Sequence, residues 1–234
     1  MAARPATFHV ERPRQRAAVV TLELTARQRE QLTAFAAAVR ASPHNLLSRR
    51  ALDELESRHI AESLGVAATL PAQPHSVLDL GTGGGFPGLV VAIARPDLRV
   101  TLLDGTRKKI EFVAHVAREL AIPVQVAHGR AEQLVHSRPD LRVDVVTARA
   151  VAPLARLVPW AIPFLRPNGQ LWALKGKQWE EELEEAAPVL RRSGASVLAV
   201  PDTVRPQDDP QDVGGGFVVV RPRIVIIGRT SSRA

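Results

Sequence analysis

Val77-Leu78-Asp79-Leu80-Gly81-Thr82-Gly83-Gly84-Gly85-Phe86-Pro87-Gly88 is the stretch that decides the fold. A short β-rich run enters a glycine-rich turn, and an apolar helical pattern follows at about Leu89–Ala94. Glycines in such a turn let the backbone approach a ligand closely and adopt positive φ. Nineteen residues after Gly85 stands Asp104, at the end of a second β-rich run. A carboxylate there can accept both hydroxyls of an adenosine ribose. A dinucleotide fingerprint, G-x-G-x-x-G, would need glycine at position 86 when counted from Gly81, and Phe86 occupies it. The pattern is instead D-x-G-x-G-x-G, with Asp79 two residues before the first glycine. A carboxylate beside the loop repels a pyrophosphate and suits a cationic sulfonium carrying an α-amino group, which favours S-adenosylmethionine over NAD. The alternative for Asp79 is that it caps the following turn.

Outward from this loop the chain alternates strand and helix. β-rich runs fall at Ser76–Leu80, Val100–Asp104, Val124–Ala127, Asp144–Thr147 and Gln170–Leu174. Helical patterns fall at about Leu89–Ala94, Lys108–Leu120, Ala152–Phe164 and Trp179–Arg192. Parallel strands joined by helices give an α/β, Rossmann-like, doubly wound sheet. Ser196–Val200 and Phe217–Ile227 are joined without a helix, which predicts an antiparallel strand at the end of that sheet. Upstream, Leu32, Phe35, Ala36 and Val39 recur at helical spacing between Thr25 and Ala41, closed by Ser42-Pro43. A second helix is expected over Ser48–Leu64, with Gly65 as its stop and Pro71 and Pro74 bracketing a linker. The chain therefore divides into a flexible basic arm (1–20), an N-terminal helical extension (21–74) and a Rossmann-like domain (75–234).

Composition narrows the chemistry. The 234 residues contain no cysteine, so disulfides, Cys-ligated metal sites and thiolate nucleophiles are excluded, and no metal site is expected. No apolar run approaches the roughly 20 residues of a membrane span, and Met1 to Val10 has no secretory core, which reads as a cytoplasmic chain. The net charge is +7, and 27 of the 31 basic residues are arginine. Planar, bidentate guanidinium groups suit phosphates, although genomic base composition would produce the same bias. The charge is uneven: +3 over residues 1–75, +6 over 76–177 and −2 over 178–234.

Further side chains fall at the C-terminal strand ends, where open α/β sheets bind ligands. These are Arg130-Ala131-Glu132, Ala148-Arg149-Ala150 and Lys175-Gly176-Lys177. Surface ion pairing is the plain alternative for Arg130, Glu132 and Arg149; their shared edge favours function. Missing residues help choose the acceptor. Carbon-5 methylation of a pyrimidine needs a cysteine. Exocyclic-amine methylation uses an Asp/Asn-Pro-Pro-aromatic turn where this chain has Ala148-Arg149-Ala150, and there is no tyrosine. An acceptor that is already nucleophilic remains, and guanine N7 qualifies because its in-plane lone pair is free at neutral pH. Arg149 and Lys175 are then expected to position the substrate, with no general base required.

Arg58-His59-Ile60-Ala61-Glu62-Ser63, the glycine loop ending in Phe86-Pro87-Gly88, Leu102-Leu103-Asp104, Arg130-Ala131-Glu132, Ala148-Arg149-Ala150 and Ala173-Leu174-Lys175-Gly176 occur in that order. Over about Asn45 to Lys177 the chain resembles the small-subunit ribosomal RNA guanine-N7 methyltransferases, also called glucose-inhibited division protein B. The resemblance implies a class I methyltransferase fold with an N-terminal helical extension. It implies S-adenosylmethionine as cofactor, contacted at Gly81, Phe86, Ala131, Glu132 and Arg149. To these the loop reading adds Asp79, Gly83, Gly85, Asp104 and Arg130. The implied substrate is one guanine of 16S ribosomal RNA, of the guanine 527 type, in the small ribosomal subunit or its precursor. Loss of the mark is associated in the family with low-level streptomycin resistance. His59 is expected to brace the extension against the loop and not to act in catalysis. The chain departs from the family at Gly105, in the segment Arg40–His44 and over Pro201–Gly216. A monomer is expected, with RNA meeting the sheet edge and the basic arm and avoiding the acidic Glu180–Glu185 helix. Two other functions fit less of the chain: a small-molecule methyltransferase, and a nucleotide-sensing or RNA-binding protein without catalysis.

Overall fold

A computed structural model describes residues 22–72, 76–200, 211–212, 214, 216–220 and 222–229. The 1–20 arm, Pro74 of the linker and most of the Pro201–Gly216 loop lie outside the described residues.

The extension opens with α1 (Ala26–Ala41). Thr25 Oγ1 accepts from the Gln28 amide at 3.2 Å while Gln28 Oε1 accepts from the Thr25 amide at 2.8 Å, a reciprocal cap that satisfies two orphan donors. Its buried face is Leu32, Phe35, Ala36 and Val39, the four positions whose spacing marks the helix in the sequence. The single helix expected over Ser48–Leu64 is three pieces: α2 (Arg49–Asp53), a π-helical turn at Leu55–Ile60, and α3 (Ala61–Thr69). Gly65 does not stop it. It lies inside α3 because a Cβ there would sit 1.9 Å from the carbonyl oxygen of Val220, which crosses the helix and donates its amide to the Ala61 carbonyl at 3.1 Å.

The sheet contains β1 (Ser76–Leu80), β2 (Arg99–Asp104), β3 (Val124–His128), β4 (Val143–Arg149), β5 (Leu165–Leu174), β6 (Ala195–Ala199) and, after a two-stranded ladder of β7 (Gln211–Asp212) and β8 (Val218–Val219), β9 (Ile224–Arg229). Its order is β3-β2-β1-β4-β5-β9-β6. β1 to β5 run parallel, and β9 enters antiparallel between β5 and β6, as the helix-free connection predicted. The chain winds outward through β2 and β3, then crosses back to β4 on the other side of β1. That reversal is the switch point at which such sheets open a crevice.

Helices α4 (Gly88–Ala94) and α5 (Arg107–Glu119) cover one face together with the extension. α6 (Ala131–Ser137), α7 (Leu154–Ala161) and α8 (Trp179–Arg192) cover the other. α6 was not foreseen: its seven residues bury only Ala131 and carry almost no helical signature. α7 starts later than expected because Pro153 holds its N-terminus, and β5 starts five residues early at Leu165. Trp172 is core, whereas Trp160 is half-buried beneath the Arg156 guanidinium. Among the described residues no helix is long and apolar enough to cross a membrane.

Candidate active site

The loop after β1 turns through three glycines in the left-handed region, Gly81 at φ +73°, Gly83 at +57° and Gly85 at +102°, where a side chain would be strained. Gly81 and Gly83 leave backbone accessible at the switch point; Thr82 and Gly84 to Gly88 are buried. Gly85 has little room besides, since a Cβ would come within 3.1 Å of the Phe35 ring. The loop is tied to β2 by the amides of Gly81 and Thr82, which donate to the Leu103 carbonyl at 2.8 and 3.0 Å.

Two carboxylates hold this loop. Asp79 is fully buried, and its oxygens accept from the Gly88 amide and the Thr147 hydroxyl, both at 2.9 Å. It thereby pins the start of α4 to β1 and β4, the turn-capping arrangement. Burial pushes its carboxyl above the usual range. Asp104 stands at the end of β2, where one oxygen accepts from the Gly83 amide at 2.9 Å and the other from the Thr106 amide at 2.8 Å. The two acids play different parts: Asp79 pins α4 beneath the loop, and Asp104, itself 8% exposed, ties Gly83 to the end of β2.

Arg149 ends β4 and converges on the same loop. Its guanidinium lies 5.2 Å from the centroid of the Phe86 ring. Nη1 is 2.6 Å from His59 Nδ1 and 3.8 Å from Glu62 Oε2. Arginine has only donors, so Nδ1 accepts and the imidazole proton sits on Nε2, which is buried without a partner among the described residues. Burial, reinforced by the charges of Arg149 and Arg58, pushes His59 down to about 4, so the ring is neutral at pH 7. Phe86 also touches Phe35 of α1, with centroids 5.0 Å apart, and His59, at 5.9 Å. His59 thus braces the extension against the loop, as its motif led one to expect.

Lys175 ends up elsewhere. Its side chain is only 8% exposed, and Nζ donates to the Ala152 carbonyl and to Glu182 Oε2, both at 2.7 Å. The ammonium grips the segment that follows Arg149 and does not project from the edge. Ala150 in that segment has φ +54°, and Val151 fills the space above Gly81, its Cγ2 2.7 Å from where a Cβ would stand. Arg130 and Glu132 are exposed around the buried Ala131 at the start of α6, with the Arg130 stem beside Gly105.

The structure therefore gathers Asp79, Gly81, Gly83, Gly85, Phe86, Asp104 and Arg149 around one loop, sets Arg130 to Glu132 at the side of its rim, and turns Lys175 inward. The sequence reading assigned no role to Glu62, Val151 or Glu182. Glu62 lies in the Arg58–Ser63 motif, whereas Glu182 sits in a run of acids that looks like a solvated helix face.

A loop of bare glycine backbone at the switch point of a seven-stranded sheet with one reversed strand places the chain in a known architecture. TrmN from Thermus thermophilus superposes with a TM-score of 0.51 at 19% identity, covering 83% of this chain and 52% of that one. The mitomycin 7-O-methyltransferase MmcR superposes with a TM-score of 0.52 at 20% identity, covering 87% and 68%. The fold is that of the class I S-adenosylmethionine-dependent methyltransferases. Residues 28–209 match the family model described as GidB, rRNA small subunit methyltransferase G. A ribosomal RNA small subunit methyltransferase G of Thermobifida fusca is 41% identical over 195 residues, 81% of this chain and 76% of the relative. One from Streptomyces avermitilis is 38% identical over 200 residues, 80% and 83% respectively. The chain belongs to the rRNA small subunit methyltransferase G family.

Proposed function

We propose that this protein methylates N7 of one specific guanine in 16S ribosomal RNA, using S-adenosylmethionine. The observation that carries this reading is Arg149 packed on the buried Phe86 ring beside the glycine loop, in a chain of this family that lacks the residues other base methylations require. The rim suits the cofactor. Gly83 offers side-chain-free backbone, where a Cβ would meet nothing closer than 3.9 Å, and Asp104 places a carboxylate beside it. Gly81, Gly83, Gly85, Phe86, Asp104 and the Arg130-Ala131-Glu132 turn would hold it, with buried Asp79 bracing the loop from below. When bound, the cofactor supplies a methyl group activated by a positive sulfur.

The protein's task is then alignment. Guanine N7 needs no deprotonation, and neutral His59, its Nδ1 already accepting from Arg149, is not poised to remove a proton. Arginine commonly reads guanine through O6 and N7 together, but here N7 must face the methyl donor. Arg149 therefore addresses O6 or a phosphate with the N–H groups that His59 leaves free. Holding an acceptor in near-attack geometry contributes several kcal/mol by itself, on the order of 7–11 at the upper limit.

The test is methyl transfer to small-subunit RNA or subunits taken from cells lacking this protein, with the modified nucleotide mapped by primer extension and mass. One 7-methylguanine at a single position is the expected result. Transfer only to a small molecule, or to a different guanine atom, overturns the reading. Asp104→Ala should weaken cofactor binding by at least about tenfold, the loss of one charge-assisted hydrogen bond.

A further inference from the structure

Between Arg149 and α7 the chain forms a strap, residues 149–153, and its shape is not one it would adopt unaided. Ala150 sits at φ +54°, where a Cβ is disfavoured, so surrounding contacts must hold it. On one side the strap leans on the cofactor loop, with Val151 over Gly81 and Arg149 against Phe86 and His59. On the other side it is gripped by two residues seven positions apart in the chain. Lys175 Nζ donates to the Ala152 carbonyl at 2.7 Å. Glu182 Oε2 accepts from Lys175 Nζ at 2.7 Å and from the Leu154 amide at 2.9 Å. One carboxylate oxygen of α8 thus joins three features: the last residues of the strap, the first amide of α7, and the cation at the end of β5.

The chemistry of each partner explains why the grip exists as a unit. The Leu154 amide opens α7 and has no acceptor within its own helix, while the positive end of that helix favours an acid. Lys175 is 8% exposed, a degree of burial a lone ammonium does not tolerate. Glu182 answers both.

We propose that Glu182 is a positioning residue for methyl transfer: through Lys175, the Ala152 carbonyl and the Leu154 amide it holds the strap in the register that sets Arg149 and Val151 against the glycine loop. This rests on the functional reading above and extends it to a residue that touches neither RNA nor cofactor. An in-line displacement tolerates little misplacement, and a shift of about 1 Å costs about 10²-fold in rate. The strap carries the side chain that orients the acceptor, so its register is where such a shift would arise.

The experiment uses the full chain at a temperature well below the melting point of every variant. Glu182→Ala should lower kcat by about 10²-fold, while KM for RNA and the cofactor dissociation constant, measured by calorimetry without turnover, stay within about threefold. Glu182→Gln retains an acceptor for Leu154 and Lys175 and should recover most of the rate. Lys175→Met combined with Glu182→Ala should be no slower than the slower single variant, because both remove one clasp. Amide hydrogen exchange over residues 151–156 should quicken in Glu182→Ala while peptides of α1 and β1 stay protected. A kcat within threefold of the parent, a loss matched by the unfolded fraction, or additive losses in the double variant would each overturn the proposal. If the parent protein transfers no methyl to small-subunit RNA, the functional reading fails, and unchanged exchange at 151–156 would separately dispose of the clasp.

Discussion

Arg149 and Lys175 end neighbouring strands, Arg149 pairing in register with Leu174 immediately before Lys175. Both are cations at the same edge of the same sheet, and the molecule treats them in opposite ways. Arg149 bonds a neutral imidazole and lies on an aromatic face, with its nearest carboxylate, Glu62, at 3.8 Å. Lys175 is in direct contact with a carboxylate and a carbonyl at 2.7 Å each. The first arrangement fixes a guanidinium through a neutral ring nitrogen and an aromatic face; the second cancels the charge where it stands. Two cations that look alike in the sequence thus differ in their partners: Arg149 rests on a neutral imidazole and an aromatic ring, and Lys175 is an internal fastener.

The sharpest test removes the Arg149 guanidinium. Arg149→Ala should cut methylation by about 10³-fold, in the range seen when one preorganised donor is lost, with near-parental melting followed by circular dichroism. If methylation survived, the contrast between the two strand ends would collapse. Lys175→Met should register as stability as well as rate. It leaves the Glu182 carboxylate without its cation and the Ala152 carbonyl without its donor, which costs about 1–3 kcal/mol in urea unfolding. Arg149→Lys keeps the charge but loses the planar fork and the stacking on Phe86. A fall of about tenfold is expected, equivalent to one modest hydrogen bond. The smallest effect is on pH dependence. His59 titrates near 6.5 when unfolded and at about 4 in the fold. Between those values the unfolded chain holds more protons, so stability is complete above about pH 6.5 and is lost as pH falls towards 4. Denaturation midpoints of His59→Gln against the parent should show a shallower decline across that window.

The parts of the fold visible in the sequence are those governed by local rules. The glycine loop is legible because three left-handed residues in a row of turns demand glycine, and α1 because its cap and apolar spacing agree. The reversed strand β9 follows from a connection with no helix in it. What stayed hidden depends on partners distant in the chain. Gly65 looks like a helix stop, and only the passage of Val220 over α3 gives the glycine another purpose. Asp79 offers a carboxylate beside a glycine loop, yet whether it faces a ligand or the interior is decided by Thr147, 68 residues away. Ala150 gives no sign of a left-handed backbone, because no local rule puts alanine there. Glu182 is one acid among several, and its selection comes from the Leu154 amide, which no periodicity can reveal.

The crossing of Val220 over Gly65 also orders events in time. The face of α3 that receives it emerges from the ribosome some 155 residues before the segment that covers it. At a synthesis rate of about 5–20 residues per second this is a wait of roughly 8–30 s. β5 likewise waits for β9, its antiparallel neighbour, which follows it by about 50 residues. The extension that braces Arg149 is therefore made well before the segment that completes it, so the cation at the end of β4 acquires its full setting only after Val220 has followed.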